Sequence, residues 1–148
     1  MYNKIGLEEH FGIPETMGGS HIYFEGTGAQ DIRSKRLLDL GDLRIEQMDE
    51  YGMDMMILSL NSPAIQSIHD PKEAARVARI ANENLATAIQ AHPNRFRGFA
   101  AIPLQDPDKA IEELHYCIEE LGFVGVLANG YSQIGDPDSY VYLDDPMY

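Results

Sequence analysis

Cysteine is almost missing from this chain: its 148 residues include one, Cys117. A lone thiol excludes an internal disulfide framework and makes the cytosol the default expectation. It falls on the apolar stripe of a helical pattern, so inert core packing is its expected role. Basic residues are scarce too, with 11 Lys and Arg against 24 Asp and Glu and a formal net charge of -13. Nucleic acids and anionic membranes both require a basic surface, so neither is an expected partner. No apolar run approaches the roughly 20 residues of a membrane span, and Met1-Tyr2-Asn3-Lys4 leads directly into a strand pattern. Neither a signal peptide nor a transmembrane helix is therefore expected. A glycine-rich phosphate loop is also lacking, since Gly18-Gly19 is followed by no G-x-x-G and no helix start. No Ser/His/Asp or Cys/His grouping suggests a nucleophile. What remains is 44% hydrophobic and 24% charged, ordinary for one folded domain with a real core.

The elements follow from periodicity and punctuation. Ile5-Gly6-Leu7-Glu8-Glu9-His10-Phe11 reads as a strand. Residues 12–30 hold Pro14 and several glycines with few periodic apolar positions, and read as a long first loop carrying the aromatic pair Tyr23-Phe24. A helical pattern starts at Asp31, breaks at Gly41 and resumes with Asp42 as N-cap, Ile45 and Met48 facing inward and Gly52 at the end. Residues 53–60 form a nearly continuous apolar run, the mark of a strand covered on both faces. Asp70-Pro71-Lys72-Glu73 predicts a capped helix start with a capping box, and Pro93 stops that helix. A third strand over 96–102, a second Asp-Pro start at Asp106-Pro107, a helix closing at Gly122 and a fourth strand over 123–128 complete the pattern. The remainder, from Tyr131 to Tyr148, reads as loop. Strands alternating with crossover helices make an α/β protein. The period alone fits either an open doubly wound sheet or the first four units of a (β/α)8 barrel.

In parallel α/β folds, function gathers at the carboxyl ends of the strands, here Glu8, His10, Ser59, Asn61, Pro103 and Asn129. On a regular strand Glu8 and His10 share one face, with Leu7, Glu9 and Phe11 on the other. That E-x-H pair is either half of a coordination shell for a divalent ion such as zinc or manganese, or a strand ending in solvated polar residues. Asn61 and Asn129 also suit ordinary turns. His21, His69, His92 and His115 have no ligand-spaced partner and are expected at the surface.

Several stretches in register carry a resemblance: Lys4-Ile5-Gly6-Leu7-Glu8-Glu9-His10-Phe11-Gly12-Ile13-Pro14-Glu15-Thr16, Met56-Ile57-Leu58-Ser59-Leu60-Asn61-Ser62-Pro63-Ala64, Pro93-Asn94-Arg95-Phe96, Ile102-Pro103-Leu104-Gln105-Asp106-Pro107, and Gly122-Phe123-Val124-Gly125 with Asn129-Gly130. Together they resemble the gamma-resorcylate (2,6-dihydroxybenzoate) decarboxylases of the metal-dependent amidohydrolase superfamily, across essentially the whole chain. The resemblance implies a (β/α)8 barrel in which Glu8 and His10 bind zinc or manganese together with a histidine and an aspartate from later strands. The metal would hold the substrate's carboxylate and adjacent hydroxyl, and the aspartate would protonate the ring carbon as carbon dioxide leaves. It further implies that Tyr23 and Asn61 contact a small aromatic acid, and that the protein forms dimers or tetramers in the cytoplasm. Residues 1–148 would be the N-terminal half of one barrel domain. The second histidine and the acid are expected beyond Tyr148, so that no catalytic group is assigned within these residues and the chain alone is expected to be inactive. Two rivals stay open. One is a hydrolase of the same superfamily, in which the metal activates water; the other is a non-catalytic α/β module that kept the scaffold.

Overall fold

The computed structural model describes residues 4–20, 30–136 and 138–148. Four parallel strands form its centre: β1 (Ile5–Phe11), β2 (Met55–Leu60), β3 (Phe96–Ala100) and β4 (Gly125–Val126). Their order in the sheet is β1-β2-β3-β4, the order of the chain. A doubly wound sheet reverses direction at a switch point, whereas successive units of a barrel advance one strand at a time. The unreversed order therefore selects the barrel progression, which the period of the sequence left undecided.

Between β1 and β2 lie α1 (Pro14–Ser20), α2 (Gln30–Leu38) and α3 (Asp42–Glu50). The stretch expected as one long loop over 12–30 thus contains a short helix, with proline at its first position, where a missing N–H costs nothing. The cap of α3 is also displaced. Gly41 occupies the cap position, and Asp39, not Asp42, supplies the carboxylate, its Oδ1 accepting from the N–H groups of Gly41 at 3.1 Å and Arg44 at 2.9 Å. Gly52 follows the segment at φ +64°, a conformation that suits a residue without Cβ.

The α4 helix (Pro71–Ala91) begins as expected, Asp70 Oδ1 accepting from the N–H of Glu73 at 2.8 Å, a cap worth about 1 kcal/mol. The rest of the capping box does not form. The Glu73 carboxylate instead takes two bonds, of 2.8 and 2.7 Å, from the Arg76 guanidinium, because a bidentate charged partner one turn away outcompetes a backbone N–H. Ala74, Val77, Ala78, Ala81, Leu85 and Ala88 form the buried stripe of α4, packed with Phe96 and Ala100 of β3 into the core. The α5 helix (Pro107–His115) is capped by Asp106 in the same way and closes in a π-helical turn, Tyr116–Glu120.

Two further differences from expectation concern the end of the chain. The β4 strand is only two residues long, because it lies at the margin of the described sheet with a partner on one side. The stretch from Tyr131 to Tyr148 is not all loop: β5 (Tyr131–Gln133) and β6 (Tyr140–Tyr142) pair antiparallel, and β5 packs on a 3-10 turn, Ala64–Ser67. Strands of three residues are too short to register as a period. Past β6 the backbone turns back on itself, the Tyr148 N–H donating to Asp145 O at 3.1 Å. Among the described residues, no helix is long and apolar enough to cross a membrane.

Candidate metal centre at the end of the first strand

Register fixes which way the β1 side chains point. Gly6 pairs with Met56 and Glu9 with Leu58, so Leu7 and Glu8 together stand opposite the single residue Ile57, a β-bulge. Gly6 and Glu9 therefore share a face. A Cβ on Gly6 would meet Glu9 Cγ and Oε1 at 2.7 Å, which is why glycine stands just before the bulge. Beyond the bulge the alternation resumes, and Glu8 and His10 share a face as expected. Leu7 departs from expectation: rephased with the first half of the strand, it lies on the side of Ile5, and both are more than half exposed.

His10 pairs with Ser59 across the sheet, and the two side chains meet, Nδ1 lying 2.9 Å from Ser59 Oγ. Ser59 is fully buried and His10 half-buried, while Glu8 is exposed. The pair thus offers one outward carboxylate and one imidazole whose inner nitrogen is already engaged. That donor chemistry fits one half of a four-donor divalent site. Among the described residues no group of three or more His, Cys, Asp or Glu is placed to hold an ion, so the pair does not complete a site with any described neighbour.

Arg44 fixes the strand end from the helix side. Only 9% exposed, it donates from Nη2 to His10 O at 2.9 Å and to Arg36 O at 2.8 Å, and from Nε to Asp39 O at 2.8 Å. Burial pushes its pKa down, opposed by the carboxylates of Asp39 and Glu9. Gly12 N–H donates to Leu37 O at 2.8 Å, a second tie between the end of β1 and α2. An open cavity of about 330 Å³ borders this corner, lined by Glu8, Glu9, His10, Arg36 and Arg44 among others. Sequence reasoning missed Arg44. The available signal was a charged residue four positions before Met48, on the inward stripe of α3.

The remaining candidates are distributed unevenly. Asn61 is buried at 4%, its N–H donating to Phe11 O at 2.8 Å, so it joins the ends of β1 and β2. Asn129 points back into the fold, its Nδ2 donating to Gln66 Oε1 at 2.9 Å and Pro63 O at 3.3 Å. Tyr23 and His21 lie outside the described residues. Tyr148, the boundary past which the second histidine and the acid are expected, is itself exposed. Its ring borders an apolar recess with Ile102, Leu104, Leu114 and Leu143, and it is not among the residues lining the Glu8–His10 cavity. It therefore marks a position in the chain and is not a member of the candidate centre. Of the histidines expected at the surface, His115 is exposed and His92 packs edge-on against Phe96. His69 is half-buried, its Nδ1 enclosed and without a hydrogen-bond partner among the described residues. The segment carrying it is covered because Gly135, just past β5, donates its N–H to the His69 carbonyl.

Cys117 is fully buried in the core. Burial, reinforced by the Glu113 carboxylate, pushes its thiol up to about 12. Native protein near pH 8 should therefore resist iodoacetamide, and denaturant should restore the reactivity of an ordinary thiol of pKa about 8.5. Rapid native labelling, read by mass spectrometry, would contradict the buried placement. By linkage, the thiol's contribution to stability is complete below the unfolded value and declines as pH rises toward the folded one.

A family model described as "Amidohydrolase" matches residues 32–148. The chain belongs to the amidohydrolase family. It is similar to gamma-resorcylate decarboxylase of Rhizobium radiobacter, 49% identical over 148 residues that make up 100% of this chain and 45% of that one. It also matches a crystal structure of 2,6-dihydroxybenzoate decarboxylase complexed with 2,6-dihydroxybenzoate, with a TM-score of 0.95, 49% identity, and coverage of 100% of this chain and 45% of that chain. A dihydroxybenzoic acid decarboxylase from Polaromonas sp. JS666, with bound manganese and the inhibitor 2-nitroresorcinol, matches with a TM-score of 0.93, 47% identity, and coverage of 100% and 44%. The amidohydrolase chain described here therefore spans less than half the length of these relatives. The family model begins beyond β1, whereas the whole-chain relatives take in the Glu8–His10 strand as well.

Proposed function

We propose that this chain contributes the first part of the active site of a metal-dependent decarboxylase acting on a hydroxylated aromatic acid. The observation that carries the reading is the match of the entire chain, at a TM-score of 0.95, to a decarboxylase holding 2,6-dihydroxybenzoate. In this reading Glu8 and His10 are metal ligands, with zinc or manganese as the ion. The bound ion supplies positive charge that fixes the substrate's carboxylate and neighbouring hydroxyl. Glu8 brings the negative charge that favours a cation at the end of β1, and His10 brings a neutral nitrogen. Arg44 and Ser59 keep that imidazole at a fixed height and angle above the sheet. Asn61, and Tyr23 outside the described residues, are assigned contacts with the aromatic ring. Positioning is the main contribution asked of these groups, since a ring held in one orientation is protonated at one carbon. The other ligands and the proton donor are assigned to sequence beyond Tyr148. A cytosolic setting suits the single buried thiol, and self-association as a dimer or tetramer has exposed apolar side chains to use, among them Tyr140, Tyr142 and Leu143.

The family description also favours a second reading, hydrolysis by metal-activated water. Two measurements separate these possibilities. Manganese titration followed by electron paramagnetic resonance should give binding that Glu8→Ala and His10→Ala each weaken by about 10-fold or more, the range for loss of a group that supports a metal. Equal binding by all three proteins would leave only a scaffold without the metal chemistry. With the complete gene product, release of carbon dioxide from 2,6-dihydroxybenzoate supports decarboxylation, whereas ester or lactone hydrolysis without it supports the hydrolase.

A further inference from the structure

We infer that Ser59 is a positioning residue for His10: it accepts the Nδ1–H of the imidazole and so leaves Nε2 as the nitrogen that faces the metal. The inference rests on the metal-site reading above and adds a residue and a tautomer to it. Four observations support it. Ser59 and His10 are register partners, so their side chains leave the sheet from the same face at the same height. Their 2.9 Å contact runs between the inner ring nitrogen and an oxygen fixed in the centre of the sheet. Ser59 is fully buried, flanked in β2 by the core residues Leu58 and Leu60, so its Cβ has no room to drift. The His10 carbonyl is held independently by Arg44, which fixes the backbone of the same residue.

A neutral imidazole has one donor and one acceptor nitrogen, and which is which depends on the partner each finds. A hydroxyl oxygen has lone pairs to accept the Nδ1 proton, and once that proton is placed the lone pair must lie on Nε2. A histidine ligand whose other nitrogen lacks such a partner binds metal about 10–100-fold more weakly, because both ring angle and tautomer are then free. Ser59 is otherwise a small polar residue in an apolar strand. Without the histidine, an aliphatic side chain would serve that buried position better.

The test compares zinc binding by wild type, Ser59→Ala, Ser59→Thr and His10→Ala, together with nitrogen-15 NMR of the His10 ring in the zinc-loaded protein. Ser59→Ala removes a single oxygen and is expected to fold, which circular dichroism checks. The expected result is an affinity about 10-fold lower or worse for Ser59→Ala and near-native for Ser59→Thr, which keeps the hydroxyl. A slowly exchanging Nδ1–H signal should be present in wild type and lost in Ser59→Ala. If His10→Ala weakens binding while Ser59→Ala changes neither affinity nor that signal, the role of Ser59 is overturned and the metal site stands. If His10→Ala leaves zinc binding unchanged, the metal-site reading fails and takes this inference with it.

Discussion

Arg44→Met should lower the unfolding free energy by about 3 kcal/mol, a large share of the 5–15 kcal/mol typical of a domain. Methionine fills much of the volume but offers no N–H. The carbonyls of His10, Arg36 and Asp39 each lose a donor at 2.8–2.9 Å, in a setting where an unsatisfied buried group costs about 1–3 kcal/mol. Relief of the guanidinium's own desolvation offsets part of that sum, which keeps the expected value at the lower end. Urea denaturation checks it: the midpoint should fall with little change in slope. Arg44→Lys should not rescue, because one ammonium cannot reach three carbonyls in a planar fork. The Arg44→Met variant should also weaken metal binding, since the His10 carbonyl is one of the groups released.

Asn82→Ala is expected to cost about as much, roughly 3 kcal/mol, where α4 meets the end of β3. Asn82 is 1% exposed and lies in the middle of α4. Its Oδ1 accepts from the Ala101 N–H at 2.9 Å, and its Nδ2 donates to Ala101 O at 2.9 Å and to Glu113 Oε1 at 2.9 Å. The side chain thus acts as an extra sheet partner for the residue just past β3, where the strand would otherwise leave both backbone groups buried and unmet. Glu113 in turn receives the Arg79 guanidinium at 2.8 Å, and Arg79 lies 3.6 Å over the Tyr116 ring. Removal of Asn82 leaves one donor and two acceptors without it. For a chain of this size, that loss corresponds to a fall in melting temperature of about 6–12 °C. A double variant with Glu113→Ala should lose less than the sum of the two single changes, because one network is being broken twice.

Much of the scaffold was legible from particular residues. The two Asp-Pro starts at Asp70 and Asp106 announced α4 and α5 with their capping carboxylates, and Gly52 marked the end of α3. Residues 53–60 announced a strand covered on both faces, and Leu58 and Ser59 are fully buried. The Glu8–His10 pair was legible as neighbours on one face. The misreadings arose where local sequence and long-range contact disagree. A capping box was expected at Glu73 because spacing cannot reveal that Arg76 competes for the carboxylate. His69 was assigned to the surface because nothing near it in sequence indicates that Gly135 folds back onto it. The stretch ending at Tyr148 read as loop because its two short strands find their partner in each other and carry no period of their own. Arg44 and Asn82 escaped notice because a charged or amide side chain on an inward stripe has meaning only once the carbonyls it will meet are known.

The bulge in β1 has a consequence for how this strand can vary. With Leu7 and Glu8 sharing one opposite number, the strand carries two phases in seven residues, one set by Gly6 on Met56 and the other by His10 on Ser59. Closure of the bulge with no residue lost would carry the first phase to the end of the strand, set Glu8 opposite Leu58 and His10 opposite Leu60, and turn carboxylate and imidazole toward the opposite layer. The E-x-H signature is therefore necessary but not sufficient. A homologous sequence could keep both letters and, by losing the glycine at position 6 that gives Glu9 its room beside the bulge, aim them at the wrong side of the sheet.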